Sequence, residues 1–130
     1  MPAVWRDSFA IGIPEIDGQH KKLLGLINDL EAVLLQKQGD AAFADIARRM
    51  QDYARFHFVT EEKYMESAGY PETEEHLAQH AVFTVRAAAL RFSPDDPENH
   101  PLKLLAFLSD WLLVHIHGTD KKMGAFLSGM

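Results

Sequence analysis

Seven histidines, at positions 20, 57, 76, 80, 100, 115 and 117, stand in a chain of 130 residues that has no cysteine. Two pairs have helical spacing: His57 with Glu61, and His76 with His80, each four residues apart. On a helix such pairs lie on one face, one turn above the other, so both members reach the same point. Near the end, WLLVHIHGTD sets His115 and His117 two apart, about 200° around a helix, with Asp120 beyond them. Imidazole and carboxylate at these spacings suit metal ligation or proton transfer. The lack of cysteine excludes disulfides, thiolate metal sites and a thiol nucleophile.

The elements that must position these residues are helical. Gly18 precedes the first segment and Gly39-Asp40 closes it; Gly69-Tyr70-Pro71 closes the second, and the run Ser93–Pro97 closes the third. Between these breaks apolar residues recur at steps of three and four, and no stretch alternates as a strand would. The spacing predicts helices over about 18–38, 41–67, 73–91 and 98–118, with Asp17, Asp40 and Thr73 as caps and Pro97 or Pro101 in the last first turn. Helices of this length joined by short loops make an all-α fold, an antiparallel up-down-up-down four-helix bundle. Residues 1–18 carry Trp5, Phe9, Ile11, Ile13 and Ile16 without helical period and are expected as an extended N-terminal arm. No internal repeat, linker or low-complexity tract is visible, so residues 1–130 are read as a single domain.

Ligand-type residues fall on the apolar stripes. His20 leads Leu23, Ile27 and Leu30; His57 and Glu61 continue Met50 and Tyr53; His76 and His80 lead Phe83 and Ala87; His115 follows Leu108 and Trp111. Buried imidazoles and carboxylates without partners cost kilocalories each, so their joint burial requires a shared compensating charge. All four helices bring such a residue to one interior, which is how metal sites in bundle cores are built. Oxygen and nitrogen donors without sulfur suit iron, manganese, zinc or copper. With Asp120 the set comprises five imidazoles and two carboxylates, too many for one ion. Two six-coordinate ions present twelve positions. Five imidazoles, two bridging carboxylates and a bridging oxo or hydroxo group fill all but one, and an open position marks a reactive site.

These residues bear a resemblance across nearly the whole chain. WRDSFAIGIPEIDGQHKKLLGLIN, HFVTEE, YPETEEHLAQH and WLLVHIHGTDKKM, in that order, are similar to the arm and four ligand motifs of the bacterial hemerythrins. The resemblance implies a hemerythrin-like domain with two non-haem irons bridged by an oxo or hydroxo group. It further implies that His76, His80 and His115 hold one iron, that His20 and His57 hold the other, and that Glu61 and Asp120 bridge them. Dioxygen would bind reversibly at the second iron. The expected role is oxygen storage, delivery or sensing by a binding protein rather than an enzyme, with an oxygen-consuming enzyme as recipient. An enzyme reducing peroxide or nitric oxide, or a metal store, is the alternative. Five imidazoles make the site less negative than carboxylate-rich oxygenase sites, and neither Glu-x-x-His nor His-Glu-x-x-His occurs here.

A net charge of −6 without a basic stripe argues against nucleic acid as partner, and no apolar run approaches the ~20 residues of a membrane span. MPAVWRDSF lacks a signal-peptide profile, so a monomer in the cytoplasm is expected. Three residues carry narrower expectations. Asp120, five after His115, lies about 140° off its face on a regular helix, which predicts distorted backbone around Gly118. His117 is expected to be exposed, approaching the pocket only if that distortion swings it inward. His100, beside Pro101 and off every stripe, is expected in solvent. Trp111 and Phe58 are read as core.

Overall fold

The computed structural model describes residues 3–90 and 100–129. It contains a short 3₁₀ turn (Asp7–Phe9) and four helical rods: α1 (Pro14–Leu35), α2 (Asp40–Ala68), α3 (Thr73–Ala88) and α4 (Pro101–His115). The fourth rod does not stop at His115. It passes through a π turn (Ile116–Asp120) into α5 (Lys121–Ser128), well beyond the expected end near 118. No strand occurs among the described residues. Each rod packs on its two neighbours, α1 on α2 and α4, α3 on α2 and α4, which closes an all-α four-helix bundle. No helix among the described residues is long and apolar enough to cross a membrane.

The helix starts follow proline more than the expected caps. Pro14 occupies the first turn of α1, where its fixed φ suits the helix and its missing N–H goes unneeded. The helix therefore begins at Pro14, Gly18 lies inside it, and the arm ends at Ile13. Asp17, expected as the cap, instead accepts a hydrogen bond from the Ile11 N–H at 2.8 Å and ties the arm down. Gly39 and Glu72 occupy the cap positions expected for Asp40 and Thr73. The Thr73 hydroxyl donates back to the Tyr70 carbonyl at 2.7 Å. Pro101 opens α4, and His100 is its cap: its Nδ1 accepts from the Leu102 N–H at 3.1 Å. His100 is accordingly half-buried rather than in solvent, because capping draws the ring against the first turn. The breaker run Ser93–Pro97 and the predicted end of the third helix at 91 lie outside the described residues.

Leu23, Ile27 and Leu30 of α1 meet Phe43 and Met50 of α2, Phe83 of α3 and Leu108 of α4 in a closed apolar core. On α4 the buried face is Leu105, Leu108, Leu112 and His115, while Trp111 of the expected stripe is half-buried. The core occupies the bundle toward the α1–α2 loop. The other end, where α1 and α3 begin and α2 and α4 finish, holds the polar residues.

Candidate metal centre

His20 comes from α1, His57 and Glu61 from α2, His76 and His80 from α3, His115 from the last turn of α4, and Asp120 from the end of the π turn. All seven are buried, none more than 4% exposed. The structure brings together every residue singled out from the stripes, and Asp120 with them. On a regular helix Asp120 would point away from His115. The π turn supplies the missing rotation: Lys121 N–H reaches back to the Ile116 carbonyl five residues earlier, so a residue at i+5 returns to the face of residue i. Gly118 sits at the middle of this turn without positive φ, and a Cβ there would meet nothing within 4 Å. Its contribution is a weakened helical alternative rather than a required conformation. His117 points out and is exposed.

The donor atoms sort into two groups around the carboxylates. Glu61 Oε2 lies 3.1 Å from His20 Nε2 and 3.0 Å from His57 Nε2; its Oε1 lies 3.0 Å from His76 Nε2 and 2.9 Å from His80 Nε2. Asp120 divides the same way, with Oδ2 3.0 Å from His20 Nε2 and Oδ1 3.0 and 3.1 Å from the Nε2 atoms of His76 and His115. One group thus comprises His20 and His57, the other His76, His80 and His115, and each carboxylate gives one oxygen to each. Within each group all donors lie within 4.8 Å of one another.

Hydrogen bonding alone does not satisfy this cluster. Both Asp120 oxygens and the Nε2 atoms of His57 and His115 are buried without a hydrogen-bond partner, although nitrogen and oxygen stand about 3 Å apart, because the angles are wrong. The outer face of two rings gives the reason. His57 Nδ1 donates to Gln19 Oε1 at 2.8 Å, and His115 Nδ1 donates to Gln79 Oε1 at 2.8 Å. A neutral imidazole protonated at Nδ1 presents a lone pair at Nε2. Lone pairs facing carboxylate oxygens in a dry interior repel unless a cation stands between them. The donor set therefore fits bound metal.

Sequence reasoning missed Gln19 and Gln79. Each directly precedes a candidate ligand, His20 or His80, yet serves a histidine of the next helix. Gln19 Nε2 donates to the Thr60 hydroxyl at 3.3 Å, and the Thr119 hydroxyl donates to Gln79 Oε1 at 2.7 Å, which orients both amides. The repeated dipeptide Gln-His was the available signal. The walls are aromatic on the three-histidine side: Phe58 stacks on His80 and Trp111 on His115, with centroids 4.0 and 4.5 Å apart and both ring pairs within 13° of parallel.

Without metal the charges shift one another strongly. Burial would depress His20 and His76, but the Asp120 and Glu61 carboxylates alongside outweigh it and raise both to about 9. At His80 burial wins and the value falls. Burial likewise opposes ionisation of the acids, yet the surrounding imidazoles hold Asp120 at about 2 and Glu61 well below the carboxylate range.

A four-helix bundle with such a centre defines a bundle-core metal-binding protein. The family described as hemerythrin HHE cation binding domain matches residues 11–127. The chain is 37% identical to the bacteriohemerythrin of Stenotrophomonas maltophilia, over 91% of this chain and 76% of the relative. It is 36% identical to that of Pseudomonas aeruginosa, over 90% and 76%. A hemerythrin-like protein of Naegleria gruberi is 31% identical over 93% and 90%. The chain belongs to the hemerythrin family, and its buried cluster fits a non-haem di-iron site.

Two predictions follow from the centre's outer contacts and its charges. Gln19→Leu and Gln79→Leu each remove the acceptor that orients one imidazole, and each should weaken metal binding by about 10- to 100-fold in chelator competition. Unchanged affinity in both would show the amides to be bystanders. For the metal-free protein, the raised His20 and His76 stabilise the fold fully below their unfolded value of 6.5, and that stability is lost as pH rises toward about 9. The depressed Asp120 stabilises above its unfolded value of 3.8, a contribution lost as pH falls through about 2. Thermal melts of the metal-free chain should therefore peak between about 3.8 and 6.5 and decline to pH 9. Metal affinity should climb over that declining range, because binding displaces those protons. A flat melting temperature from pH 6.5 to 9 would contradict the linkage.

Proposed function

We propose that the chain binds two irons and, through them, dioxygen reversibly, as a store or carrier serving an oxygen-consuming enzyme, or as a sensor. The observation that carries this reading is the division of donors: two imidazoles on one side, three on the other, and both carboxylates shared. His20 and His57 would hold one ion, His76, His80 and His115 the other, with Glu61 and Asp120 spanning both. When bound, the iron pair supplies the two electrons that dioxygen needs for reversible attachment.

The chain's own residues do the rest. The stacked rings of Phe58 and Trp111 hold His80 and His115 in place and exclude water from that side. Gln19 and Gln79 hold the Nδ1 protons of His57 and His115, so that Nε2 stays available. The apolar core beneath withholds protons and stray electrons from the site. The similarity to bacteriohemerythrins supports a binding role over catalysis.

The test is the visible spectrum of the iron-loaded, reduced protein before and after air, together with elemental analysis. Two irons per chain with absorption bands that appear in air and vanish on deoxygenation are expected; irreversible oxidation on first exposure would overturn reversible binding. Glu61→Ala should lose both ions together, since it removes a shared ligand. Loss of a single ion would contradict the spanning role.

A further inference from the structure

The side of α3 turned away from the centre is unlike the surface around it. Opposite the buried His76, His80, Phe83 and Ala87, helical spacing places Ala78, Ala81, Val82, Val85 and Ala89 in one outward row, with Leu77 at its flank. Leu77, Val82 and Val85 are 37%, 46% and 68% exposed. Residues 77–85 hold no aspartate, glutamate, lysine or arginine. On the outward face of α2, by contrast, Asp45 pairs with Arg48 and Arg49, and Asp52 with Arg55. Single apolar side chains on a surface mean little, but a continuous row along one helix marks a contact face. Charge stands only at the two ends of the row, and the ends differ in sign. Glu74 and Glu75 are exposed at its beginning. Arg86 is exposed at its end, its guanidinium 4.2 Å from the centre of the Phe107 ring.

We infer that this face is the contact surface for a second copy of the chain, the two α3 helices packing antiparallel about a two-fold axis. The row is self-complementary under that operation. With the axis between Ala81 and Val82, Val85 of each copy meets Ala78 of the other and Val82 meets Ala81, so the larger side chains fall against the smaller. Glu75 and Arg86 lie about 20° apart around the helix, on one flank. The two-fold brings each Arg86 within roughly 3 Å, along the axis, of the level of the other copy's Glu75. An ion pair thus closes the interface at each end. Parallel packing would set like charges together, and antiparallel packing also opposes the helix dipoles. The charges favour a second copy over an unrelated partner, because a face with an acid at one end and a base at the other answers itself. One helix pair covers less than the roughly 1,200 Å² of a standard interface, so the dissociation constant should lie between micromolar and millimolar. A weak dimer of this kind differs from the monomer expected from the sequence, and it is independent of what the centre binds.

Sedimentation equilibrium of the iron-loaded chain, from micromolar to millimolar concentration, tests this. The wild type should pass from monomer to dimer over that range. Val82→Glu sets a carboxylate of each copy beside the axis and should raise the dissociation constant about tenfold or more. Glu75→Arg and Arg86→Glu each turn two attractions into two repulsions, and each should weaken the dimer about tenfold. The double variant restores opposite charges in exchanged places and should return to the wild-type constant. Arg86→Glu also gives up the Phe107 contact, which the double variant does not recover, so rescue there separates pairing between copies from a local effect. All three positions are exposed, and iron content with the helical circular dichroism signal checks that each variant folds. A wild type that stays monomeric at millimolar concentration would overturn the inference and leave the face to a different partner. A dimer that withstands Val82→Glu would place the contact elsewhere and overturn it equally. A double variant no tighter than the single ones would overturn the antiparallel pairing.

Discussion

Five imidazoles and two carboxylates in a dry bundle interior set the terms for everything around them. Each would be expensive to bury alone, and together they exceed what mutual hydrogen bonding can satisfy, as the unpartnered Asp120 oxygens show. Protons provide one way out: with His20 and His76 charged, the metal-free interior balances some of its negative charge. Cations provide the other and suit the geometry better, because lone pairs already converge. The same charge ties together all four rods, since each contributes at least one donor. A cluster that links every helix makes bundle closure and site assembly one event.

Much of this was legible in the sequence because polar residues on an apolar stripe contradict ordinary partitioning. His20, His57, Glu61, His76, His80 and His115 announce themselves that way, and the structure buries them together. Four helices were equally readable from period and breakers. Less visible were features set by distant partners or by competition at helix ends. Gln79 looks like an ordinary polar residue beside His80; its significance depends on His115, 36 residues away. Asp17 has the chemistry of a cap, but Pro14 captures the helix start first, and the acid turns to the Ile11 amide. His100 looks like a loop residue until its ring is needed to accept the Leu102 N–H.

Asp120 shows how local geometry can be legible as a conflict before it is legible as a structure. Its distance of five from His115 fits no regular helix face, so either the residue is not in the cluster or the backbone departs from 3.6 residues per turn. The π turn resolves the conflict without ending the rod, which continues through α5. That continuation has its own support. Gly124 on α5 lies so close to the arm that a Cβ would fall 2.7 Å from the Ile11 carbonyl oxygen, and the 3₁₀ turn of the arm packs on the π turn. The arm is thus a backing for the least regular stretch of the bundle.

The unequal halves of the centre divide its tasks. On the His76, His80 and His115 side, three imidazoles and two stacked aromatic rings leave little freedom, and an ion there would be held for charge and structure. On the other side stand two imidazoles where the first group has three. Exchange of a small ligand demands such an incomplete shell, and stability demands a complete one. Two ions sharing two carboxylates would let one site meet both demands, because shared oxygens would couple an exchanging position to a saturated one. A single-ion centre in this bundle would have to compromise between them, which is a physical reason for seven protein donors where one ion needs no more than six.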